Sequence, residues 1–247
     1  MQLFVADTYE SMSEQCARVI ADIVKSLKSP LICVPSGDSP KGLFKEWKLQ
    51  QEQKTVDVHA WHFLGLDEWI GFGENDEGSC RYMLNRDLFL PLDIQPEKIC
   101  CFDGNTKDTD AECNRVEHHI QQHSAIDIAI LGLGMNGHIG LNEPGTSPLL
   151  RSHVSEIHPL TKQVGQKYFS SPQQLTKGIT LGIATLMESK HIILLVSGQK
   201  KAAILQEAIE GAITPAIPAS LLRNHPHFMV FADKDAAHLL KQSGDKL

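Results

Sequence analysis

The chain has 247 residues, of which 42% are hydrophobic and 21% are charged, and its formal net charge is −7 at pH 7. This length allows one large α/β domain or two small ones, and it is enough to bury a sizeable core. The acidic charge argues against nucleic acid as a partner, and no apolar segment approaches the ~18 residues that a membrane helix needs. An anionic ligand would therefore need positive groups concentrated around it.

The N-terminal residues and the cysteines predict a cytoplasmic protein. Residues 1–5 lack the basic start and the long apolar core of a signal peptide, and they are predicted to form a first strand. The six cysteines form no regular framework, so we expect reduced thiols. Among the twelve histidines, His119 and His123 are neighbours on a predicted helix, but no third ligand stands near them and no metal is expected.

Apolar segments alternate with amphipathic stretches along the chain. In order, the pattern predicts a strand at 1–5, a helix at 11–28, a strand at 31–34, a helix at 40–51, a strand at 56–64, helices at 79–89 and 110–123, strands at 126–131 and 179–181, a helix at 183–188, a strand at 191–196, a helix at 200–209, a strand at 228–231 and a helix at 233–241. Apolar strands with helices between them indicate a mainly parallel sheet covered on both faces. The predicted fold class is therefore α/β, with three α/β/α layers.

No feature of the sequence marks a boundary between domains. There is no internal repeat, no low-complexity segment and no convincing linker, so we expect a single domain over residues 1–247. Residues 143–174 show only weak periodicity, and they are the candidate for a mobile flap over a site.

The most informative segment is the glycine-rich stretch at residues 132–145, which follows a predicted buried strand. It contains His138 and, five residues later, Glu143, a combination that suggests acid–base chemistry on a small phosphorylated substrate. The segment also matches the Gly-x-Gly-x-x-Gly pattern of dinucleotide-binding loops. The Asn-Glu-Pro-Gly that follows should prevent a helix from starting there, so a nicotinamide site is the weaker interpretation.

Polar or ionisable residues follow four of the predicted strands. In open parallel sheets, ligands bind beyond the carboxyl ends of the strands. Any one of these segments could be an ordinary turn, but four together indicate a site. They are residues 35–40, 65–71, 132–145 and 197–201.

Two of these segments suit an anion. Ser36, Gly37 and Ser39 precede a predicted helix N-terminus, where hydroxyls and backbone N–H groups can bind phosphate. A simple serine cap on the helix is the alternative. Lys201 lies in the first turn of another predicted helix, where a cation is unfavourable unless an anion sits beside it.

The other two segments suit proton transfer. Asp67 and Glu68 are adjacent carboxylates, so one can face a ligand while the other faces away, and the first can act as a base toward a carbon-bound proton. His138 can move a proton at neutral pH, and Glu143 can orient its imidazole. A plain structural role for His138 is the alternative.

The sequence Gly-His-Ile-Gly-Leu-Asn-Glu-Pro-Gly, with Leu-Asp-Glu-Trp upstream, resembles the glucosamine-6-phosphate deaminase (isomerase) family. The resemblance extends over nearly the full length. Asn-Glu-Pro is its specific part, because the sister family, 6-phosphogluconolactonase, shares the glycine-rich loop and histidine but usually lacks this tripeptide. The resemblance implies a Rossmann-like α/β fold, no cofactor, and conversion of a hexosamine 6-phosphate to a ketohexose 6-phosphate and ammonia in amino-sugar catabolism.

By this resemblance, Asp67 matches the base that moves a proton between C2 and C1, His138 matches the group that opens the sugar ring, and Glu143 is its partner. The matched substrate and phosphate contacts are Ser36, Gly37, Ser39, Gly137, Lys167 and Lys201. Lys167 stands where many members have arginine, so it keeps the charge but loses the bidentate fork.

Two departures from the family pattern concern substrate and regulation. Asn136, the fourth candidate catalytic residue, stands where many deaminases have aspartate, and an amide favours the imidazolium less than a carboxylate would. Together with residues 177–182, it resembles a branch assigned to galactosamine 6-phosphate, whose product is tagatose 6-phosphate. Residues 146–155 are poor in the positive charge found in allosteric members, which implies a non-allosteric enzyme. The sequence leaves both a monomer and a homo-oligomer open.

Three other functions compete with the deaminase. A sugar-phosphate lactonase would need the phosphate site and His138, but not Asp67 as a carbon-acid base. A non-catalytic sugar-phosphate sensor would bind without turnover, and the set of Asp67, His138 and Glu143 argues against it. A CoA-transferase-like role rests on fold analogy alone.

Overall fold

The computed structural model describes residues 1–241, which form a seven-stranded parallel sheet and a three-stranded antiparallel sheet. The strands are β1 (Gln2–Ala6), β2 (Leu31–Val34), β3 (His62–Gly65), β4 (Asp67–Trp69), β5 (Ile99–Cys100), β6 (Ile128–Gly132), β7 (His153–Glu156), β8 (Lys177–Thr180), β9 (His191–Val196) and β10 (Phe228–Asp233). The large sheet has the order β1-β10-β9-β6-β2-β3-β5, and the small sheet has the order β4-β8-β7.

Helices cover both faces of the large sheet, which confirms the predicted fold class. They are α1 (Tyr9–Val24), α2 (Lys41–Glu52), α3 (Cys80–Leu84), α4 (Thr109–Gln122), α5 (Pro159–Gly165), α6 (Ile183–Met187), α7 (Ala202–Glu210), α8 (Pro218–Leu221) and α9 (Lys234–Ala237). None of these helices is long and apolar enough to cross a lipid bilayer.

The apolar strands supply two cores at once, because successive side chains of a strand point to opposite faces. In β6, Ile128 and Ile130 pack with α1 and α2, whereas Ala129 and Leu131 pack with α4, α6 and α7. A strand that is covered on both faces must therefore be apolar at every position, which is the pattern seen in the sequence.

Several predicted elements have different bounds in the structure. The strand predicted at 56–64 begins only at His62, because residues 58–60 form a 3₁₀ turn in which the Val58 amide donates to the side chain of Gln51, 2.7 Å away. The helix predicted at 11–28 begins at Tyr9, after a capping box formed by Thr8, and ends at Val24.

Two further helices also differ from the prediction. The segment at 79–89 is α-helical only to Leu84 and continues as a π-helical turn, Asn85–Phe89. The helix predicted at 233–241 is limited to α9, because Asp233 still belongs to β10 and caps the helix by accepting from the Ala236 amide.

The small antiparallel sheet was not predicted as a sheet. Only β8 was recognised, as a short strand at 179–181, while β4 was interpreted as a loop and β7 lies in the weakly periodic segment at 143–174. Strands of three or four residues are too short to show a reliable alternation. The predicted flap segment thus contains β7 and α5, and this sheet places Asp67 beside the glycine-rich loop.

A cluster of three half-buried histidines lies between the start of β3 and the end of α4. The His123 ring lies 4.7 Å from the ring of His62 and 4.9 Å from the ring of His119, measured between centroids. Burial, reinforced by the neighbouring His123, His62 and Arg115, lowers the pKa of His119 to about 4. His119 is therefore neutral at pH 7, and protonating it in the folded state is unfavourable.

We expect His119→Gln to reduce the acid sensitivity of the fold. The unfolded chain binds a proton at His119 near pH 6.5, whereas the folded chain binds it only near pH 4, so stability is lost as the pH falls between these values. Between pH 7 and pH 5, the free energy of unfolding should fall by about 1 kcal/mol less in the variant than in the wild type, as measured by urea denaturation. His118→Gln, exposed on the same helix, is the control, and equal behaviour of the two variants would contradict this assignment.

Candidate active site

Segments that follow three strands of the large sheet meet at its carboxyl edge. The segment after β2 contacts the end of β6, where Ser39 Oγ lies 3.6 Å from the position that a β-carbon on Gly132 would take. The segment after β9 reaches the same place through Lys201, whose Nζ donates to the carbonyl of Leu133. Most of the predicted site residues therefore face one region.

The segment at residues 35–40, which was predicted to bind an anion, turns at Gly37. Gly37 has a φ of +91°, and the Tyr168 hydroxyl lies 2.8 Å from where its β-carbon would be, so a side chain would be both strained and obstructed. The N-cap of α2 is Pro40, and no side chain caps this helix. The hydroxyls of Ser36 and Ser39 are therefore not consumed as helix caps, which removes the alternative interpretation.

Two lysines face the space above this loop. Burial, reinforced by the nearby charge of Lys167, lowers the pKa of Lys201 to about 8. Lys167 Nζ lies 2.6 Å from Asp38 Oδ2 and 4.7 Å from the centre of the Tyr168 ring. Like charges held together in a partly buried space favour the binding of an anion.

His138 is held by a chain of hydrogen bonds. The Asn136 amide donates to Glu143 Oε2 at 2.9 Å, and its carbonyl oxygen lies 2.7 Å from Nδ1 of His138. An ionised carboxylate can only accept, so it fixes the orientation of the amide, and the amide oxygen in turn requires a proton on Nδ1. The other ring nitrogen, Nε2, is thereby left with a free lone pair.

The imidazole of His138 is neutral at pH 7. Burial lowers its pKa to about 4, the charge of Glu143 opposes this shift, and Lys201 and His158 reinforce it. Glu143 Oε2 is 3.6 Å from Nδ1, so the predicted partner acts mainly through Asn136. Thr161 Oγ1 lies 3.1 Å from the same nitrogen and was not predicted, because it follows 23 residues later in a segment with no recognisable motif.

Glycines in the loop allow the imidazole to approach the backbone. A β-carbon on Gly134 would lie only 2.4 Å from the His138 ring, so a larger residue is excluded. Gly137, a predicted ligand contact, also shapes the loop: its amide donates to the Gly134 carbonyl, its carbonyl accepts from the Ala219 amide, and a β-carbon there would lie 2.7 Å from Ile217. Its contact with a ligand stays a prediction.

Asp67 enters the site from the small sheet. It pairs with Thr180 of β8, and its Oδ2 lies 3.4 Å from where a β-carbon on Gly140 would be. The buried thiol of Cys80 is within hydrogen-bond reach of both Asp67 and Ser36. Burial raises the pKa of Asp67 to about 6, against the opposing effect of the Cys80 thiol. This residue can therefore accept a proton at neutral pH.

Glu68 points away from the ligand space, as expected for the neighbour of Asp67 in a strand. It is 1% exposed and accepts hydrogen bonds from the amides of Trp69, Cys80 and Arg81, each at 2.8 Å. These bonds attach the start of α3 to β4 and position Cys80 beside Asp67. Cys80 was missed from the sequence, because it lies at the start of a predicted helix and belongs to no recognised motif.

The residues that meet here are suited to acid–base chemistry on an anionic small molecule. Asp67 is a carboxylate that titrates near neutrality, His138 is a neutral imidazole in one tautomer, and Lys167 and Lys201 supply positive charge. Among the residues that the structure describes, no three His, Cys, Asp or Glu side chains are arranged to hold a metal ion. Together, the fold and the site define an α/β enzyme of the proton-transfer type.

Comparison with known proteins places the chain in a family. Residues 5–230 match the model of the family glucosamine-6-phosphate isomerases/6-phosphogluconolactonase. A glucosamine-6-phosphate deaminase of Geobacillus sp. (strain WCH70) is 37% identical over 248 residues, covering 100% of this chain and 99% of that protein. Glucosamine-6-phosphate deaminase 1 of Bacillus subtilis (strain 168) is 34% identical, covering 97% and 99%. The chain belongs to this family.

Solved structures show the same relation. A monomeric glucosamine-6-phosphate deaminase superposes with a TM-score of 0.92 at 34% identity, covering 97% of this chain and 100% of that one. The 6-phosphogluconolactonase of Trypanosoma brucei superposes with a TM-score of 0.75 at 20% identity, covering 97% and 98%. The similarity to this lactonase shows a shared fold only.

We expect Asn136→Asp to raise the pKa of His138. A carboxylate at 2.7 Å from Nδ1 stabilises the imidazolium more than an amide oxygen does, so the pKa should rise by one unit or more from about 4. Titration of the ring followed by NMR measures this without any substrate. Asn75→Asp, in the loop that precedes α3, is a control for the added charge, and an unchanged His138 titration in Asn136→Asp would reject direct coupling.

Proposed function

We propose that this protein is a hexosamine-6-phosphate deaminase, which converts a 2-amino-2-deoxyhexose 6-phosphate and water to a ketohexose 6-phosphate and ammonia. One observation supports this most strongly: Asp67, with a pKa near 6, and a neutral His138 with a free Nε2 stand beside a loop and two lysines suited to phosphate. The relatives named above are deaminases over their full length, which agrees with this assignment.

The first step that we assign is opening of the sugar ring by His138. Opening a hemiacetal requires removal of the proton from the O1 hydroxyl and delivery of a proton to the ring oxygen. A neutral imidazole whose Nδ1–H is held by Asn136 can accept the first proton at Nε2 and return it to the ring oxygen. Glu143 stabilises the transient imidazolium through the same amide.

The second step that we assign is proton transfer by Asp67. Its carboxylate takes the proton from C2 of the open-chain amino sugar, while O1 takes a proton from the ammonium group of the substrate. Asp67 then gives its proton to C1, which completes the conversion of the aldose to a ketose iminium. Water adds to C2 of the iminium, and loss of ammonia gives the ketose. The reaction balances with water as the sole co-reactant, so it requires no cofactor.

The phosphate is assigned to the loop after β2 and to the two lysines. The contacts that we propose are Ser36, Gly37, Ser39, Lys167 and Lys201. This arrangement would place the opposite end of the sugar, C1 and C2, toward Asp67 and His138. Whether the substrate has the gluco or the galacto configuration at C4 is open to direct assay, since Asn136 marks a resemblance to a galactosamine 6-phosphate branch but does not contact C4 by itself.

We expect purified protein to release ammonia from glucosamine 6-phosphate or galactosamine 6-phosphate, and Asp67→Asn to reduce turnover at least 10³-fold (about 4 kcal/mol) because the base is lost. Ammonia release from both sugars is measured side by side, with hydrolysis of 6-phosphogluconolactone as the comparison. Asp76→Asn, in the exposed loop before α3, is the matched control. Lactone cleavage without ammonia release would overturn the proposal in favour of a lactonase.

The pH profile should show the two displaced pKa values. Because Asp67 must be ionised to act as the base, kcat/KM should rise as the pH increases through about 6. Because Lys201 loses its charge near pH 8, KM should increase above that pH. Lys201→Arg keeps its charge and should move the increase in KM to higher pH. Lys200→Arg, exposed on the same turn, is the control, and a KM that rises near pH 8 in both variants would exclude Lys201 as the cause.

A further inference from the structure

The loop proposed to bind phosphate contains a carboxylate. Asp38 stands between Gly37 and Ser39, and its side chain is 57% exposed. A negative charge inside an anion-binding loop repels the ligand, so its presence requires an explanation.

Asp38 is paired with two lysines. Lys41 Nζ lies 2.8 Å from Oδ1, and Lys167 Nζ lies 2.6 Å from Oδ2. Burial raises the pKa of Asp38, but the hydrogen bonds and charges of Lys167 and Lys41 outweigh it and hold the pKa below its usual range. The carboxylate is therefore ionised at neutral pH.

The pair between Asp38 and Lys167 joins parts of the chain that are 129 residues apart. Lys167 follows α5, and its ammonium also contacts the ring of Tyr168, whose hydroxyl covers Gly37. Lys201, in contrast, has no carboxylate within 4.0 Å among residues 1–241 and donates only to the carbonyl of Leu133. Of the two lysines that face the loop, one is neutralised within the protein and the other is not.

We propose that Asp38 is an internal counter-anion, which occupies Lys167 in the free protein and competes with a bound phosphate for it. The proposal rests on the proposed function only in placing the phosphate at this loop. A ligand must displace Asp38 or share Lys167 with it, so the phosphate group alone binds weakly and the rest of the substrate must supply the remaining affinity. Asp38 thus selects sugar phosphates against inorganic phosphate.

The test is the affinity of the ligand-free protein for inorganic phosphate, measured by isothermal titration calorimetry at pH 7 and constant low ionic strength. Asp38→Asn removes the charge and keeps the shape, and we expect the dissociation constant of phosphate to fall about tenfold. Asp38→Ser should show the same gain. Glu14→Gln, which removes one charge from an ion pair of similar exposure (53%), should leave the affinity unchanged.

A double variant assigns the effect to Lys167. In Lys167→Gln, adding Asp38→Asn should yield less than a twofold gain, because the competition for the lysine no longer exists. Unchanged or weaker phosphate binding in both Asp38 variants would overturn the proposal, as would a full tenfold gain in the absence of Lys167. Phosphate binding requires no turnover, so this result stands apart from that of the ammonia assay: ammonia release with unaltered phosphate binding rejects the role of Asp38 alone.

Discussion

The site depends first on the inability of an ionised carboxylate to donate a hydrogen bond. Glu143, which is buried, can only accept from the Asn136 amide, and that amide is then forced to present its oxygen to His138. Reversing the amide would place a donor against the Nδ1 proton and leave the carboxylate facing a carbonyl oxygen. The buried negative charge of Glu143 therefore determines which nitrogen of the imidazole is available to a ligand, although Glu143 Oε2 and Nδ1 of His138 are 3.6 Å apart.

One physical cause acts on three ionisable groups of the site. Burial raises the pKa of Asp67 and lowers the pKa values of His138 and Lys201, in each case toward the uncharged form. The ordinary pKa values of the three groups span more than six units, and burial brings those of the carboxyl and the amine closer to 7. Proton exchange near pH 7 is then accessible to a carboxylate that would ordinarily be too weak a base.

How much of the fold and of the site the sequence predicts depends on how far apart in the chain the interacting residues lie. The bounds of β9 agree with the prediction because His191 is followed by five consecutive apolar residues, a pattern typical of a buried strand. The loops at the carboxyl edge were found because parallel sheets bind ligands there. Asp67 was found as a base, but its strand was not, because three residues with two carboxylates do not show a strand pattern. Thr161 contacts His138 across 23 residues of sequence, and Lys167 contacts Asp38 across 129. Both contacts depend on tertiary packing, which no local sequence pattern contains.

The small antiparallel sheet has a mechanical consequence. β8 lies between β4, which bears Asp67, and β7, which leads into α5 and on to Lys167. His138 and Lys201 belong instead to segments that leave the large sheet. The two sheets are joined at Leu66, the residue between β3 and β4, whose amide donates to the Val34 carbonyl and whose carbonyl accepts from the Leu181 amide, each at 3.0 Å. The Thr180 hydroxyl adds a contact by accepting from the amide of Leu141, at 3.2 Å. A ligand held by all these groups contacts segments from both sheets, whose apolar side chains share one core. The packing of one sheet on the other therefore sets the alignment of base, imidazole and anion together.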